Sequence, residues 1–467
     1  MIYPLYQDIP YQDPTILFAQ FAQQKGALLL DSARLMPACG QYSFIALDPF
    51  LFFSSKDEDI FLNQEDTTGD PLQELAAQLA LFPMKNHSDL PPFQGGVAGF
   101  FSYDLYQHIE HIRGSQYDEI DFPDMALGFY DLVIAFDHTI EKAWIFSSGY
   151  PFKEEKQRIE HAQMRLDALR QQLKKSSLVA IKQGSICEEQ DIQANFSAQG
   201  YQFAVSKVKD YIRDGDIFEA NISQQFRTIL PANFQSFDLY QRLRKINPAT
   251  FSAYFCFDDT VIVSASPERF LKLVQGQIET RPIKGTRPRG KTLEEDHYFA
   301  NDLQNSEKDH AENVMIVDLL RNDLSRVCEN YSVQVPQLCG LESYATVHHL
   351  VSIVTGKLQQ QFNAIDLLRA SFPGGSITGA PKIRAMEIIA EIEPTKRGPY
   401  CGSLGYIGFN GDMDLSILIR TFAIKKEVVV FQAGGAIVLD SDPLAEYEET
   451  LTKAKALRRA LTHDFID

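Results

Sequence analysis

The sequence predicts a mixed fold of helices and sheets, α+β or α/β, rather than a pure class. Beyond Asn195, segments of helical periodicity ("YQFAVSKVKDYIRDG", "DLYQRLRKI") alternate with strand-like runs ("FSAYFCF", "TVIVSAS", "EVVVFQAGG"). Before Tyr150, short β-rich runs such as "LGFYDLVIAFD" are separated by turn clusters such as "DLPPFQGGVAGFF". Three parts follow in order. Residues 1–150 read as a region of sheet with helical cover and no obvious chemistry. Residues 151–194 are charged and Gln-rich; "EEKQRIEHAQMRLDALRQQL" predicts a surface helix, with Ile159, Met164, Leu166 and Leu169 as its apolar positions, that connects two larger parts. Residues 195–467 carry the residues with chemical potential.

With 467 residues and 45% hydrophobic content, the chain has room for two or three domains or one large composite. Its 62 acidic and 44 basic residues give a net charge of -18. That balance disfavours nucleic acid and anionic membrane surfaces as partners, so an anionic substrate would need a local basic pocket. The six cysteines show no CxxC spacing, which suggests neither a zinc site nor a disulfide framework. The opening "MIYPLYQDIPYQD" lacks the features of a leader, and no apolar run is long enough to span a bilayer. A cytoplasmic location is the expectation.

Gly285-x-x-x-x-Gly290-Lys291-Thr292 satisfies the phosphate-loop pattern, yet its context argues against it. Such a loop follows a buried apolar strand and works through its backbone N–H groups, whereas here "IETRPIK" precedes it and Pro288 removes a donor. Asp318, at the end of "VMIVD", is no better as a magnesium-binding strand end, because Val317, Leu320, Leu324 and Val327 are spaced as on a helix.

Four other positions remain. Glu268 follows the strand-like "TVIVSAS" beside a proline turn. Lys284 stands just ahead of the phosphate-loop pattern; to act as a nucleophile its amine must be neutral, which burial or nearby cations (Arg281, Arg287, Arg289) would favour. Glu312 lies one turn before an apolar stripe. Glu446 and Glu449 share a helix face with Lys453, and carboxylates from two distant helices suit Mg²⁺. From its own context alone, each of these reads more readily as a solvated charge.

Taken together, "GDIFEANISQQF", "SASPERF", "TRPIKGTRPR", "NSEKDHAENVMIVDLLRNDLSRV", "VHHLVS", "FPGGSITGAPKIRAMEII", "YCGSLGYIGF", "LSILIRT" and "DSDPLAEYEETLTKAKAL" resemble the chorismate-using enzyme family, and within it the aminodeoxychorismate synthase component I branch. The N-terminal part resembles it more weakly, through "LLLDS", "GQYSFIALDP" and "GGVAGFFSYD". The resemblance implies an α+β composite of two packed β-sheets with helices outside, like anthranilate synthase component I. That sister branch has alanine where Lys284 stands. The implied activity is a transferase reaction that turns chorismate and ammonia into 4-amino-4-deoxychorismate, feeding 4-aminobenzoate and folate; the alternative is anthranilate synthesis for tryptophan.

By the same resemblance Lys284 is the covalent nucleophile and Glu268 the general acid and base. Glu312 and Glu449, with Glu446 beside them, hold Mg²⁺. Tyr400, Arg420, Lys453 and the backbone of Gly434 and Gly435 bind a substrate carboxylate, while Gly285, Thr286, His349 and Ser376 line the ring. Ser32, Thr250, Phe251 and Ser252 match the family's tryptophan pocket. No Gly-x-Cys-x-Gly nucleophile turn is present, so a glutamine amidotransferase subunit is expected to supply ammonia. Two departures stand out: Glu219 replaces the usual glutamine of the amide-forming members, and Ala436 replaces a glycine of an "AGxG" turn.

Overall fold

The structure, a computed structural model, describes residues 2–35, 39–63, 65–115, 117–174, 182, 184–343 and 347–463. Positions 175–181 and 183 of the charged connection lie outside the described residues.

Among the described residues two antiparallel sheets of 12 strands each form the frame. The first runs from the edge strand Leu5–Ile9 through Lys142–Ser147, Leu132–Asp137, Tyr42–Leu47, Leu28–Asp31, Phe251–Phe257, Thr260–Ser266, Thr421–Lys425 and Val428–Ile437 to Glu219–Ile229. The second runs from Ile283–Pro288 through Val347–Lys357, Gln277–Thr280, Arg269–Val274, Met413–Ile417, Ser403–Gly408 and Gly96–Phe101 to Met125–Tyr130 and beyond. Both sheets take strands from either side of residue 150.

Successive side chains of a strand point to opposite faces, and here both faces are buried. Phe44 and Ala46 join Phe100, Ala126 and Tyr406 of the second sheet in a core between the sheets. Their neighbours Ile45 and Leu47 face outward onto a core shared with Leu166, Leu239, Leu243 and Leu457 of the covering helices. The outer face of the second sheet packs in the same way under Leu72, Ile316, Leu320 and Leu368. Double burial explains why these strands read as unbroken apolar runs.

The predicted surface helix is Glu155–Leu173, but its inward stripe is Arg158, Ala162, Leu166 and Leu169. Ile159 and Met164 are exposed at 43% and 58%. Steps of four, four and three residues keep the observed set on one face, and positions 159 and 164 fall off it. Among the described residues no helix is long and apolar enough to cross a membrane. All six cysteines are free thiols.

Candidate active site

Two of the places where the chain passes from one sheet to the other deliver side chains to the same cleft. Pro267 and Glu268 link Thr260–Ser266 of the first sheet to Arg269–Val274 of the second, and Leu418–Arg420 links Met413–Ile417 back to Thr421–Lys425. The edge strand Ile283–Pro288 and the helices Glu307–Ser325 and Pro443–Thr462 contribute further walls of a cavity of about 920 Å³.

Lys284 lies on that edge strand, opposite Leu350, and Thr286 lies opposite His349, with the register shifted between them. The extra residue is Gly285, at φ +76°. A Cβ there would fall 2.9 Å from Leu303 and 3.0 Å from Asp309, so both conformation and space require glycine. The Thr286 hydroxyl and His349 Nδ1 are hydrogen-bonded at 2.8 Å. Burial, and then the positive charge of Arg420, push His349 down to about 4. His349 is therefore a neutral ring at pH 7.

Lys284 is buried and donates to Glu219 Oε1 at 2.9 Å. Burial by itself would lower the amine, but Glu219, Glu312 and Glu268 outweigh it and hold Lys284 above the ordinary lysine value. This corrects the expectation that neighbouring arginines depress it. Arg281 pairs with Glu342, Arg287 with Asp302 and Asp309, and Arg289 with Asp296. The resting amine is an ammonium ion among carboxylates.

Glu268 is buried, and desolvation raises it to about 7 against the hydrogen bond from Ser376 and the charge of Lys284. The Ser376 hydroxyl donates to Glu268 Oε1 at 2.7 Å. A carboxyl group poised near neutrality can donate and accept protons there.

Arg420 lines the same cavity and has no ion pair among the described residues. Its partner among the described residues is Asn247 Oδ1 at 3.3 Å, and burial alone lowers its affinity for protons. A guanidinium in such a place is suited to a carboxylate that arrives from outside. Tyr400 lines the cavity with a hydroxyl that burial keeps protonated. Lys453 is engaged within the protein, with Glu449 at 2.7 Å and the Gly434 carbonyl at 2.9 Å. At Gly434 the polar group that meets a side chain is thus the carbonyl. Gly435 and Ala436 continue the strand opposite Ile222 and Asn221, and Ala436 is not among the residues of positive φ. The expected turn is a strand, and alanine sits in it without rearrangement.

Glu312 Oε1 is buried and lacks a hydrogen-bond partner. A Cβ on Gly435 would stand 3.0 Å from Glu446 Oε2 and 3.6 Å from Glu449 Oε1, which places those two carboxylates together over that strand. Lys308 is 3.8 Å from Glu312, a pair whose signal in the sequence is the four-residue offset within "EKDHAE". Among the described residues no group of three or more histidine, cysteine or carboxylate side chains closes around one point. Hard oxygen donors in ones and twos fit magnesium, which completes its shell with water and substrate oxygens.

The phosphate-loop pattern is spent on the protein itself. The N–H groups of Gly290 and Lys291 donate to Asp296 (2.9 Å) and Glu295 (2.7 Å), and Thr292 caps the helix Leu293–Gln304. Acidic side chains occupy the amides a phosphate would need. Asp318 lies within the helix Glu307–Ser325, exposed and paired with Arg321.

Ser32 and Ser252 come together elsewhere, on the neighbouring strands Leu28–Asp31 and Phe251–Phe257 and their margins, outside the cavity lining. The Ser32 hydroxyl donates to the Tyr42 carbonyl (2.6 Å) and that of Ser252 to the Ala249 carbonyl (3.2 Å). Thr250 is buried, and Phe251 lies under the Arg269 guanidinium at 5.2 Å.

Residues 35–459 match the family described as chorismate binding enzyme. The chain belongs to the chorismate-binding enzyme family. Its similarity to aminodeoxychorismate synthase component 1 of Bacillus subtilis (strain 168) is 38% identity over 467 residues, covering 98% of this chain and 97% of the relative. Anthranilate synthase component 1 of Cereibacter sphaeroides is 37% identical over 463 residues, with 96% and 91% covered. Among solved structures, anthranilate synthase component I from Streptococcus pneumoniae TIGR4 superposes with a TM-score of 0.79 at 34% identity, covering 91% of this chain and 93% of that one. The two-sheet fold is therefore that of anthranilate synthase component I. As a chorismate-binding enzyme, the protein has a dicarboxylate to hold, and Arg420 is a cavity-lining cation with no ion pair among the described residues.

Proposed function

We propose that this enzyme aminates chorismate at C4, giving 4-amino-4-deoxychorismate, with ammonia delivered by a glutamine amidotransferase subunit. The observation that carries the reading is Lys284, a buried amine lining the cavity that holds Glu268. The resemblance gives alanine at this position to the anthranilate-forming branch, so the amine marks the covalent route. In that route Lys284 attacks C2 while Glu268 protonates the departing C4 hydroxyl; ammonia then adds at C4 and expels the lysine. Arg420 and Tyr400 bind the enolpyruvyl carboxylate, and His349 and Ser376 line the ring. Magnesium, when bound through Glu312 and Glu449 with Glu446 beside them, would supply positive charge to the ring carboxylate.

The relatives named component 1 support an amidotransferase partner. Similar identity to relatives of both names leaves anthranilate formation as the second reading. Incubation of the full chain with chorismate, Mg²⁺ and excess ammonium, followed by mass analysis, separates the two. The expected product is 4-amino-4-deoxychorismate with no pyruvate released; pyruvate together with an ortho-aminated aromatic ring would establish the second reading instead.

A further inference from the structure

Lys284 touches a carboxylate that the route above leaves without a task. Glu219 begins the strand Glu219–Ile229 of the first sheet and is fully buried. Its Oε1 accepts from Lys284 at 2.9 Å and from Asn221 at 3.3 Å, and its Oε2 is buried with no partner. The other charged groups that act on Lys284 or feel its charge are Glu312, Glu268 and Glu449. Each of these has another neighbour: Lys308 at 3.8 Å from Glu312, Ser376 at 2.7 Å from Glu268 and Lys453 at 2.7 Å from Glu449. Among the described residues Glu219 has Lys284 as its only cationic contact.

An ammonium ion has no lone pair with which to attack carbon. Covalent attack also needs Glu268 protonated, and that group gives up its proton near pH 7 while the amine is still charged. Bulk pH therefore does not favour the required pair of states, and the amine's proton has to leave within the site.

We propose that Glu219 is the positioning residue that sets the charge of Lys284: it holds the resting amine as ammonium and takes its proton as the amine attacks. The inference rests on the covalent reading above. A proton passes from Lys284 Nζ to a Glu219 carboxylate oxygen, and the freed lone pair forms the Nζ–C2 bond. The ring double bonds shift, the C4–O bond breaks, and Glu268 supplies the proton with which the hydroxyl leaves as water. Glu219 ends as a neutral acid, Glu268 as a carboxylate and the lysine nitrogen as a secondary ammonium, so charge is conserved.

The test is the pH dependence of Lys284 carbamoylation by cyanate in the full chain, read by peptide mass spectrometry, beside the pH profile of chorismate amination. In Glu219→Gln the acid limb of labelling is expected at least one unit lower, so that labelling at pH 8 rises about tenfold or more. The limb of the amination profile that reports the amine should move with it, and Glu219→Asp, which keeps the charge, should retain the wild-type limb. An unchanged labelling limb in a folded Glu219→Gln protein overturns the proposal. So does a wild-type limb well below the ordinary lysine range, a result that requires no variant. A shifted limb combined with failure of the wild type to make the 4-amino product removes the functional reading and its attack step, while charge-setting by Glu219 stands.

Discussion

In one part of the cavity lining Lys284 touches Glu219 and feels the charges of Glu312 and Glu268, whereas in another Arg420 has an asparagine amide as its partner and no ion pair among the described residues. Lys284 is buried and Arg420 half-buried, and their situations are opposite. The lysine's charge is already balanced by the protein, and on the proposed route this side moves protons and forms and breaks bonds. The arginine's charge has no internal ion pair among the described residues, and on the proposed route it binds a carboxylate that comes from outside. A buried cation lacking a counter-ion is costly, and an incoming carboxylate relieves that cost.

The contrast can be broken most severely at the lysine. Lys284→Ala should reduce 4-amino product formation by roughly 10⁴-fold or more, as expected when a covalent nucleophile is removed, with little effect on substrate affinity. Product assays by mass would check this, and near-normal rates would mean that Lys284 is a structural ion-pair residue. Glu268→Gln comes next, with an expected loss of roughly 10²- to 10³-fold, the usual scale for a general acid. Because the acid form is the donor and burial places that group at about 7, wild-type amination should fall as pH rises through 7, and the variant should lose this limb. A limb that persists in Glu268→Gln would belong to another group.

The binding side should respond differently. Arg420→Lys keeps the charge but loses the planar fork, and should raise KM for chorismate by roughly tenfold with kcat changed less, as befits about 1.5 kcal/mol of charge-assisted hydrogen bonding. A fall in kcat with KM unchanged would move Arg420 to the reacting side and erase the distinction.

Much of this was legible beforehand. Helices and strands were placed by their periodicities, and Glu268 was suspected from its position at a strand end. The helix Glu155–Leu173 and half of its inward stripe, Leu166 and Leu169, are legible in the sequence; the other half is not, because apolar type suggests Ile159 and Met164 where geometry chose Arg158 and Ala162. The charge state of Lys284 was misjudged for a related reason. Arg281, Arg287 and Arg289 are close in sequence but spend their charge on Glu342, Asp302, Asp309 and Asp296, while the residue that touches the amine lies 65 positions away on the other sheet.

What the sequence determined by itself was the kind of parts: double-faced apolar strands, capped helices, a glycine at position 285, and the blocks that mark a chorismate-using enzyme. Those follow from local sterics and from patterns written along the chain. Only the tertiary structure decided which charges meet, because the cleft is assembled where two sheets exchange strands, and Coulomb forces in a buried place depend on distance through space and on solvent exclusion, neither of which sequence spacing records.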